Sequence, residues 1–395
     1  MIPAIADVEV ANKTVLIRVD LNVPLVQGRI TNQARLLRLV PGVRALLTRG
    51  ARLVLLSHLG RPKGQVVAGL SLAPIAAALG DLLGHRVGFC AQVRGPEVAR
   101  AVANLQAGQA LVLENVRFEP GEEANDLALA RDWAALGDLY VNDAFSAAHR
   151  AHASTAALAG LLPAYAGALM TAELTALDAA LSQPERPVMA LVGGAKVSTK
   201  FDLLFNLLTK VDVLVIGGAM ANTFLMATGV DVGGSLHEPD LAGRAREVLD
   251  RAQGLGCEVI LPLDGVAAPG LDQGAAAQTV DLSGLGADQM MLDFGPRSVA
   301  AILAALPKVK TLIWNGPLGA FEYAPFAGAT RAVAAAVAAQ TQAGKLLSVA
   351  GGGDTVAALE GAGVLPNLTY VSTAGGAFLE WMEGRELPGL AALEP

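Results

Sequence analysis

The chain has 395 residues, enough for two domains of ordinary size, and 53% of them are apolar against 16% charged, which excludes a disordered chain. A net charge of −7 argues against a nucleic-acid partner, and no apolar run approaches the length of a membrane span. The opening MIPAIADVEVANK lacks a basic segment followed by an apolar core, so no signal peptide is expected; Cys90 and Cys257, far apart in apolar runs, read as reduced thiols of a cytoplasmic protein.

In chain order, Thr14 to Val23 reads as a strand rich in β-branched residues and halted by Pro24. A helix carrying Leu36, Leu37, Leu39, Val43, Leu46 and Leu47 follows, with Pro41 expected to kink or break it. Strand 52–56 delivers Ser57-His58-Leu59-Gly60-Arg61-Pro62 at its end. Helix 71–84, strand 86–91, helix 95–105, strand 109–118, helix 126–137 and strand 139–145 continue the alternation. Such alternation implies a parallel sheet flanked by helices, with ligands at the carboxyl ends of its strands. That rim holds Asp20, Asn22, His58, Arg61, Arg117 and Arg150, with Arg35 near the start of the first helix. A single arginine at a strand end is usually only solvated. Several converging guanidinium forks make a pocket for a small, densely anionic molecule.

Residues 168–182 read as a connecting helix, broken sharply by Gln183-Pro184-Glu185-Arg186-Pro187, with the alternative of an ordinary surface helix of the first domain. Beyond it one pattern repeats: apolar strand, glycine pair, helix. It appears at 188–194, at 213–218, at 346–353 and at 369–376. Strand 257–263, the segment 290–296 and strand 310–316 are expected to complete a second parallel sheet. Four glycine turns at one sheet end suggest backbone amides gathered around a polyphosphate. No turn carries a Walker Gly-Lys-Ser/Thr, and none carries G-x-G-x-x-G with an acidic residue about twenty further on, which argues against a dinucleotide-dependent oxidoreductase.

The chain has only 8 lysines among its 29 basic residues, yet Lys196 and Lys200 lie four apart just after Gly193-Gly194. That spacing predicts both ammonium groups on one helix face, where a mobile point charge can follow a phosphoryl group. The plain alternative is a solvated amphipathic helix. Asp354, after three glycines, suits a Mg²⁺ ligand, or with Thr355 merely caps the next helix. Glu322, after a tight turn, could accept ribose hydroxyls, or is an ordinary exposed glutamate. The apolar tail Leu387 to Leu393 needs a surface to cover, and the first domain can offer one.

These residues together resemble the phosphoglycerate kinase family along essentially the whole chain. The resemblance is carried by RVDLNVP (18–24), SHLGRP (57–62), LENVRF (113–118) and NDAFSAAHRAHAS (142–154). In the second half it is carried by GGAKVSTK (193–200), GGAMANTFL (217–225), WNGPLGAFE (314–322), GGGDT (351–355) and STAGGAFLE (372–380). It implies an α/β protein of two Rossmann-like lobes, each a parallel sheet flanked by helices. Residues 1–167 with the tail 384–395 would bind phosphoglycerate, 168–183 would be the hinge, and 184–383 would bind nucleotide. The acid substrate, 3-phosphoglycerate or 1,3-bisphosphoglycerate, would be held by Asp20, Asn22, Arg35, His58, Leu59, Gly60, Arg61, Arg117 and Arg150. MgATP or MgADP would be held by Gly194, Ala195, Lys200, Ala219, Met291, Asn315, Pro317, Glu322, Gly351, Gly352, Gly353, Asp354 and Thr355, with Asp354 on the metal. Arg35, Lys196, Lys200, Gly375 and Gly376 would face the transferred group.

The family's usual residues are replaced at several positions. Ala219 and Ala374 stand where a third glycine is common, Phe378 where a small residue is usual, Thr199 where an acid is frequent. Met226 replaces a usual lysine, and Met291 a glycine whose backbone meets the nucleotide. Alanine still offers an amide, so phosphate contacts survive if φ there is negative. The other reading of these changes is a catalytically silent binding protein of the same fold. A carboxylate acceptor is already ionised at neutral pH, so the reaction needs alignment and charge neutralisation rather than a base. Closure about 168–187 and 372–376 is expected to assemble the site, and the chain is expected to be a monomer.

Overall fold

The β-branched run after Lys13 becomes the middle of the first sheet. In the computed structural model, which describes residues 2–394, the chain divides into two units. One runs to Leu174 and takes back the chain from Glu386 onward; the other is Thr175–Arg385.

The first unit holds β1 (Thr14–Arg18), the two-residue hairpin β2 (Leu25–Val26) and β3 (Arg29–Ile30), then β4 (Arg52–Leu56) and β5 (Gly88–Cys90). β6 (Ala110–Leu113), β7 (Leu139–Asn142) and β8 (Ala164–Ala166) follow. Its six-stranded parallel sheet has the order β5-β6-β4-β1-β7-β8. Every residue of β1 is buried, as expected of a parallel strand covered on both faces. Helix Ala34–Thr48 runs through Pro41 without a break. Pro41 lies on the exposed side, as does Leu37, whose carbonyl loses its helical donor there. The predicted strands 109–118 and 139–145 stop at Leu113 and Asn142 and continue as short 3₁₀ turns, Val116–Phe118 and Phe145–Ala147. The tail closes on this unit: Leu387, Leu390 and Leu393 are buried, and Gly389 N–H donates to Ala148 O at 2.8 Å.

The second unit holds β9 (Val188–Val192), β10 (Val213–Ile216), β11 (Glu258–Ile260), β12 (Asp264–Ala268) and β13 (Gln278–Asp281). β14 (Met290–Phe294), β15 (Thr311–Asn315), β16 (Leu347–Gly351) and β17 (Tyr370–Ser372) complete it. Its parallel sheet has the order β11-β10-β9-β15-β16-β17, with the strands running outward in sequence on either side of the β9/β15 junction. The segment expected to join it at 290–296 does not. β14 pairs antiparallel with β12, as does β13, in a separate three-stranded sheet inserted between β11 and β15. The predicted helix 168–182 is α-helical only over Ala168–Leu177 and ends in a π turn, Asp178–Ser182.

Candidate active sites at two strand-order switches

In a doubly wound sheet the crevice lies where the strand order reverses, because neighbouring crossovers leave in opposite directions. In the first unit that point is between β1 and β7. Asp20, two residues beyond β1, accepts from Arg35 Nη1 at 2.6 Å, from Ser146 Oγ at 2.5 Å and from the Asn22 amide at 3.0 Å. Arg35 also donates to Asn22 O at 3.1 Å. Asn22 Oδ1 accepts the Gly60 amide at 3.0 Å, and Gly60 O accepts Arg117 Nη1 at 2.7 Å. Arg117 Nε is also 3.3 Å from Glu123. The candidate rim residues Asp20, Asn22, Arg35, Gly60 and Arg117 are thus tied together before any ligand arrives. Leu59 is buried with its amide on Asn115 Oδ1, while Arg61 and Arg150 are exposed.

Beneath the rim lies a polar layer that the sequence reading had not singled out. Arg18, fully buried in β1, donates Nη2 to His58 Nδ1 at 2.9 Å and Nε to Ser154 Oγ at 2.9 Å. Ser154 in turn donates its hydroxyl to Glu122 at 2.6 Å and its amide at 2.9 Å. Burial lowers the His58 pKa well below the usual histidine range, and the Arg18, Arg117, Arg35 and His152 charges push it further down. One signal for this layer was available: an arginine inside an otherwise apolar strand run is a charge that must be paired.

In the second unit the switch falls between β9 and β15, whose ladder sets Val192 beside Asn315. Three turns meet there backbone to backbone. A Cβ on Gly193 would lie 1.9 Å from Pro317 O, and one on Gly218 (φ +66°) would lie 2.6 Å from Gly194 O. The amides of Gly193, Gly217 and Gly218 donate to Asn315 O, Val192 O and Leu318 O at 2.8, 2.8 and 2.9 Å. Close packing of turns therefore accounts for these glycines, and these three amides are already used inside the fold.

Lys196 and Lys200 do not share a helix face. Lys196 is extended (φ −128°), Val197–Thr199 forms a 3₁₀ turn, and Lys200 precedes helix Phe201–Leu208. The Thr199 hydroxyl closes this turn on Lys196 O at 3.0 Å. Lys196 is exposed; Lys200 reaches inward and donates Nζ to Asn315 Oδ1 at 2.6 Å. Burial pulls the Lys200 ammonium below its usual pKa, while the Glu383 and Asp354 carboxylates hold it up. Asn315 is the hub of this end: its Nδ2 donates to Gly351 O at 2.8 Å. Glu238, also not anticipated, holds the loop of Lys196 by accepting from Ser198 N and Oγ at 3.0 and 2.6 Å.

Gly351 ends β16, Gly352 (φ +99°) precedes helix Gly353–Gly361, and Asp354 sits exposed in its first turn. Thr355 does not cap that helix; its Oγ1 accepts the Gly316 amide at 2.7 Å. Gly375 and Gly376 open helix Gly376–Met382. Phe378 packs its ring against Gly351, where a Cβ would come within 2.6 Å. Ala219 has φ −63°, and Ala374 also avoids positive φ, so both keep the backbone the resemblance requires. Met291 is drawn into an apolar cluster with Leu225, Val232 and Met226, and its amide is used by Ser235 Oγ at 2.9 Å. Pro317 adjoins Gly193, whereas Ala195 and Glu322 are exposed. Among the described residues no group of three or more His, Cys, Asp or Glu is arranged to hold a metal alone. A lone exposed carboxylate such as Asp354 fits a hard cation that brings phosphate and water ligands with it.

A family model described as phosphoglycerate kinase matches residues 5–385. The chain is 59% identical over 388 residues to a phosphoglycerate kinase of Ruegeria sp. (strain TM1040), covering 98% of each chain. It is 57% identical over 385 residues to that of Rhizobium meliloti (strain 1021), covering 98% of this chain and 96% of the relative. The structure of phosphoglycerate kinase from Coxiella burnetii superposes with a TM-score of 0.93 at 40% identity, over 100% of this chain and 99% of the other. The Pyrococcus horikoshii OT3 structure gives 0.83 at 31% identity over 99% and 98%. With two parallel α/β sheets, a rim of arginines at one switch point and a tethered lysine at the other, the chain belongs to the phosphoglycerate kinase family and is a kinase.

Proposed function

We propose that this kinase transfers a phosphoryl group reversibly between 1,3-bisphosphoglycerate and ADP, giving 3-phosphoglycerate and ATP, as a cytoplasmic monomer. The observation that carries the reading is the pre-built rim of Asp20, Asn22, Arg35, His58, Gly60 and Arg117, dense in fixed donors and suited to a small polyanion. Arg61 and Arg150, exposed beside it in the chain motifs, add free guanidinium forks. On the nucleotide, Lys200 meets the transferred phosphoryl group from its Asn315 tether, and Lys196 from the surface. The first-turn amides at Gly353–Thr355 and Gly376 offer unpaired donors to phosphate oxygens. Asp354 would hold the Mg²⁺ of the nucleotide, which when bound neutralises phosphate charge. Glu322 would accept the ribose hydroxyls.

No residue is asked to remove a proton, because the acceptor carboxylate is ionised at neutral pH; alignment and neutralisation carry the rate. Bringing both ligand sets to one phosphoryl group calls for closure about 168–187 and 372–376, which also excludes water. Small-angle scattering should show compaction with both substrates, and none with either alone. The decisive assay couples ATP-dependent consumption of 3-phosphoglycerate to a chromophore. No turnover with purified, folded protein would refute the assignment and leave a binding protein of the same fold.

A further inference from the structure

The polar layer under the first rim has a consequence for its histidine. Arg18 is the one charged residue in β1 and is 0% exposed; His58 is 8% exposed. A guanidinium has donors and no acceptor, so the 2.9 Å approach of Arg18 Nη2 to His58 Nδ1 requires a bare Nδ1. The ring proton is then on Nε2. A second proton would set N–H against N–H across that distance, in a buried site. We infer that Arg18 is a positioning residue for substrate binding, locking His58 as the neutral Nε2–H imidazole so that it meets the acid substrate as a hydrogen-bond donor and not as a titrating charge.

The groups facing His58 all act the same way. Arg18 comes from β1, Arg117 from the turn after β6, Arg35 from the first helix, and His152 from the segment before the turn Ala153–Ala157. Burial is the largest cause holding the ring neutral, and these charges add to it. The balancing carboxylate, Glu122, is also 0% exposed, and it is reached through Ser154 from Arg18 and lies 3.5 Å from His152 Nδ1. Arg18 therefore stays charged and fixed while His58 stays neutral. An unlocked histidine would gain and lose charge across pH 6–7, and affinity for a polyanion would follow it.

The inference rests on the proposed substrate only in its kinetic half, so two readouts separate the two. In the ligand-free full chain, the His58 ring signals, assigned among five histidines with His58→Gln, should stay unmoved from pH 8 down to 5.5. An unperturbed imidazole, with pKa about 6.5, would be roughly 90% protonated at the lower limit. Arg18→Met removes the charge and the donor at Nδ1 but not the burial, so it should raise the His58 pKa until the ring signals begin to move at the acid end of that window. Its KM for 3-phosphoglycerate should then fall about fivefold more toward low pH than the native KM does, the difference between a charged and a neutral donor. Arg18→Lys, which keeps the charge and one donor, should restore the flat response at least in part. A native His58 titrating near the ordinary value would overturn the inference, and so would a folded Arg18→Met protein with His58 still silent. If Arg18→Met does not fold, Arg18→Met/Glu122→Gln removes the stranded carboxylate and takes its place. A silent native His58 in a chain that does not bind 3-phosphoglycerate would support the lock and refute the functional reading alone.

Discussion

Asn315→Ala tests whether one side chain carries the nucleotide end of the mechanism. Asn315 is 3% exposed; it accepts Lys200 Nζ at 2.6 Å and donates to Gly351 O at 2.8 Å. A charge-assisted bond of this kind contributes about 1.5–3 kcal/mol and a neutral one about 1 kcal/mol. Without its acceptor, Lys200 keeps only the Glu383 and Asp354 charges, and its already lowered pKa falls further. If the ammonium must be held in place to meet the transferred group, kcat/KM for ATP should drop roughly 10- to 150-fold, the kinetic equivalent of the lost bond. The coupled assay on Lys200→Met, Asn315→Ala and the double variant closes a cycle. Should Asn315 act through Lys200, the double variant loses little beyond Lys200→Met, and the coupling energy is about 1.5–3 kcal/mol. Asn315→Asp keeps the accepting oxygen and should retain most activity. Losses that simply multiply, with coupling under about 0.5 kcal/mol, would refute the hub.

Arg35→Ala should raise KM for 3-phosphoglycerate and lower kcat/KM by orders of magnitude while costing under about 1 kcal/mol of stability, because its ion pair with Asp20 is partly exposed; a large fall in Tm with activity retained would make Arg35 structural. Gly218→Ala should destabilise by at least about 1–3 kcal/mol from its φ of +66° alone, and more from the 2.6 Å clash with Gly194 O, whereas Gly254→Ala, in the exposed last turn of helix Ala242–Leu255 with nothing within 4 Å, should stabilise by roughly 0.4–1 kcal/mol. Opposite shifts in Tm by calorimetry check the pair. Burial pushes the Asp143 carboxyl up to about 7 against the pull of the Met170 and Leu169 amides, so the folded chain keeps a proton that the unfolded chain loses near pH 4. Its favourable contribution is full below about pH 4 and is lost as pH rises through about 7, so the Tm advantage of Asp143→Asn should grow from about pH 5 to pH 8; a pH-independent difference would count against it.

Much of this was legible in the sequence because parallel strands buried on both faces write themselves as continuous apolar runs. Val188–Val192 and Val213–Ile216 were placed within a residue or so, and the motif order led to the family. The inserted antiparallel sheet was not legible. Asp264–Ala268 is mostly small residues and Gln278–Asp281 is largely exposed, so neither shows an apolar run or clear alternation. The lysine pair misled for a local reason. A four-residue spacing means one face only inside a helix, and Gly194 at φ +151° followed by a 3₁₀ turn postpones the helix to Phe201. The lone Arg18 in an apolar run signalled a buried charge, but its partners were not legible, because Ser154 lies 136 positions away and reaches Glu122 across another 32, which leaves no local spacing to read.

The split between guanidinium and ammonium follows from what each ligand does on the proposed reaction path. The glycerate part of the substrate stays where it binds, so its ligands gain from being fixed beforehand. Arg35 is pinned by Asp20 and Asn22, and Arg117 by Glu123 and Gly60 O. Ordering them in advance removes an entropic cost at binding. The phosphoryl group moves, so its partner must follow. Lys200 is held by a single side-chain bond at the end of a flexible stem, and its ammonium can turn about that bond as charge shifts between donor and acceptor oxygens. A rigid fork there would fit an end state better than the transition state between them, and passage would slow in either direction. On this argument Lys200→Arg, conservative in charge, should lose kcat in both directions while leaving KM for 3-phosphoglycerate unchanged; retention of full turnover would show that charge alone suffices.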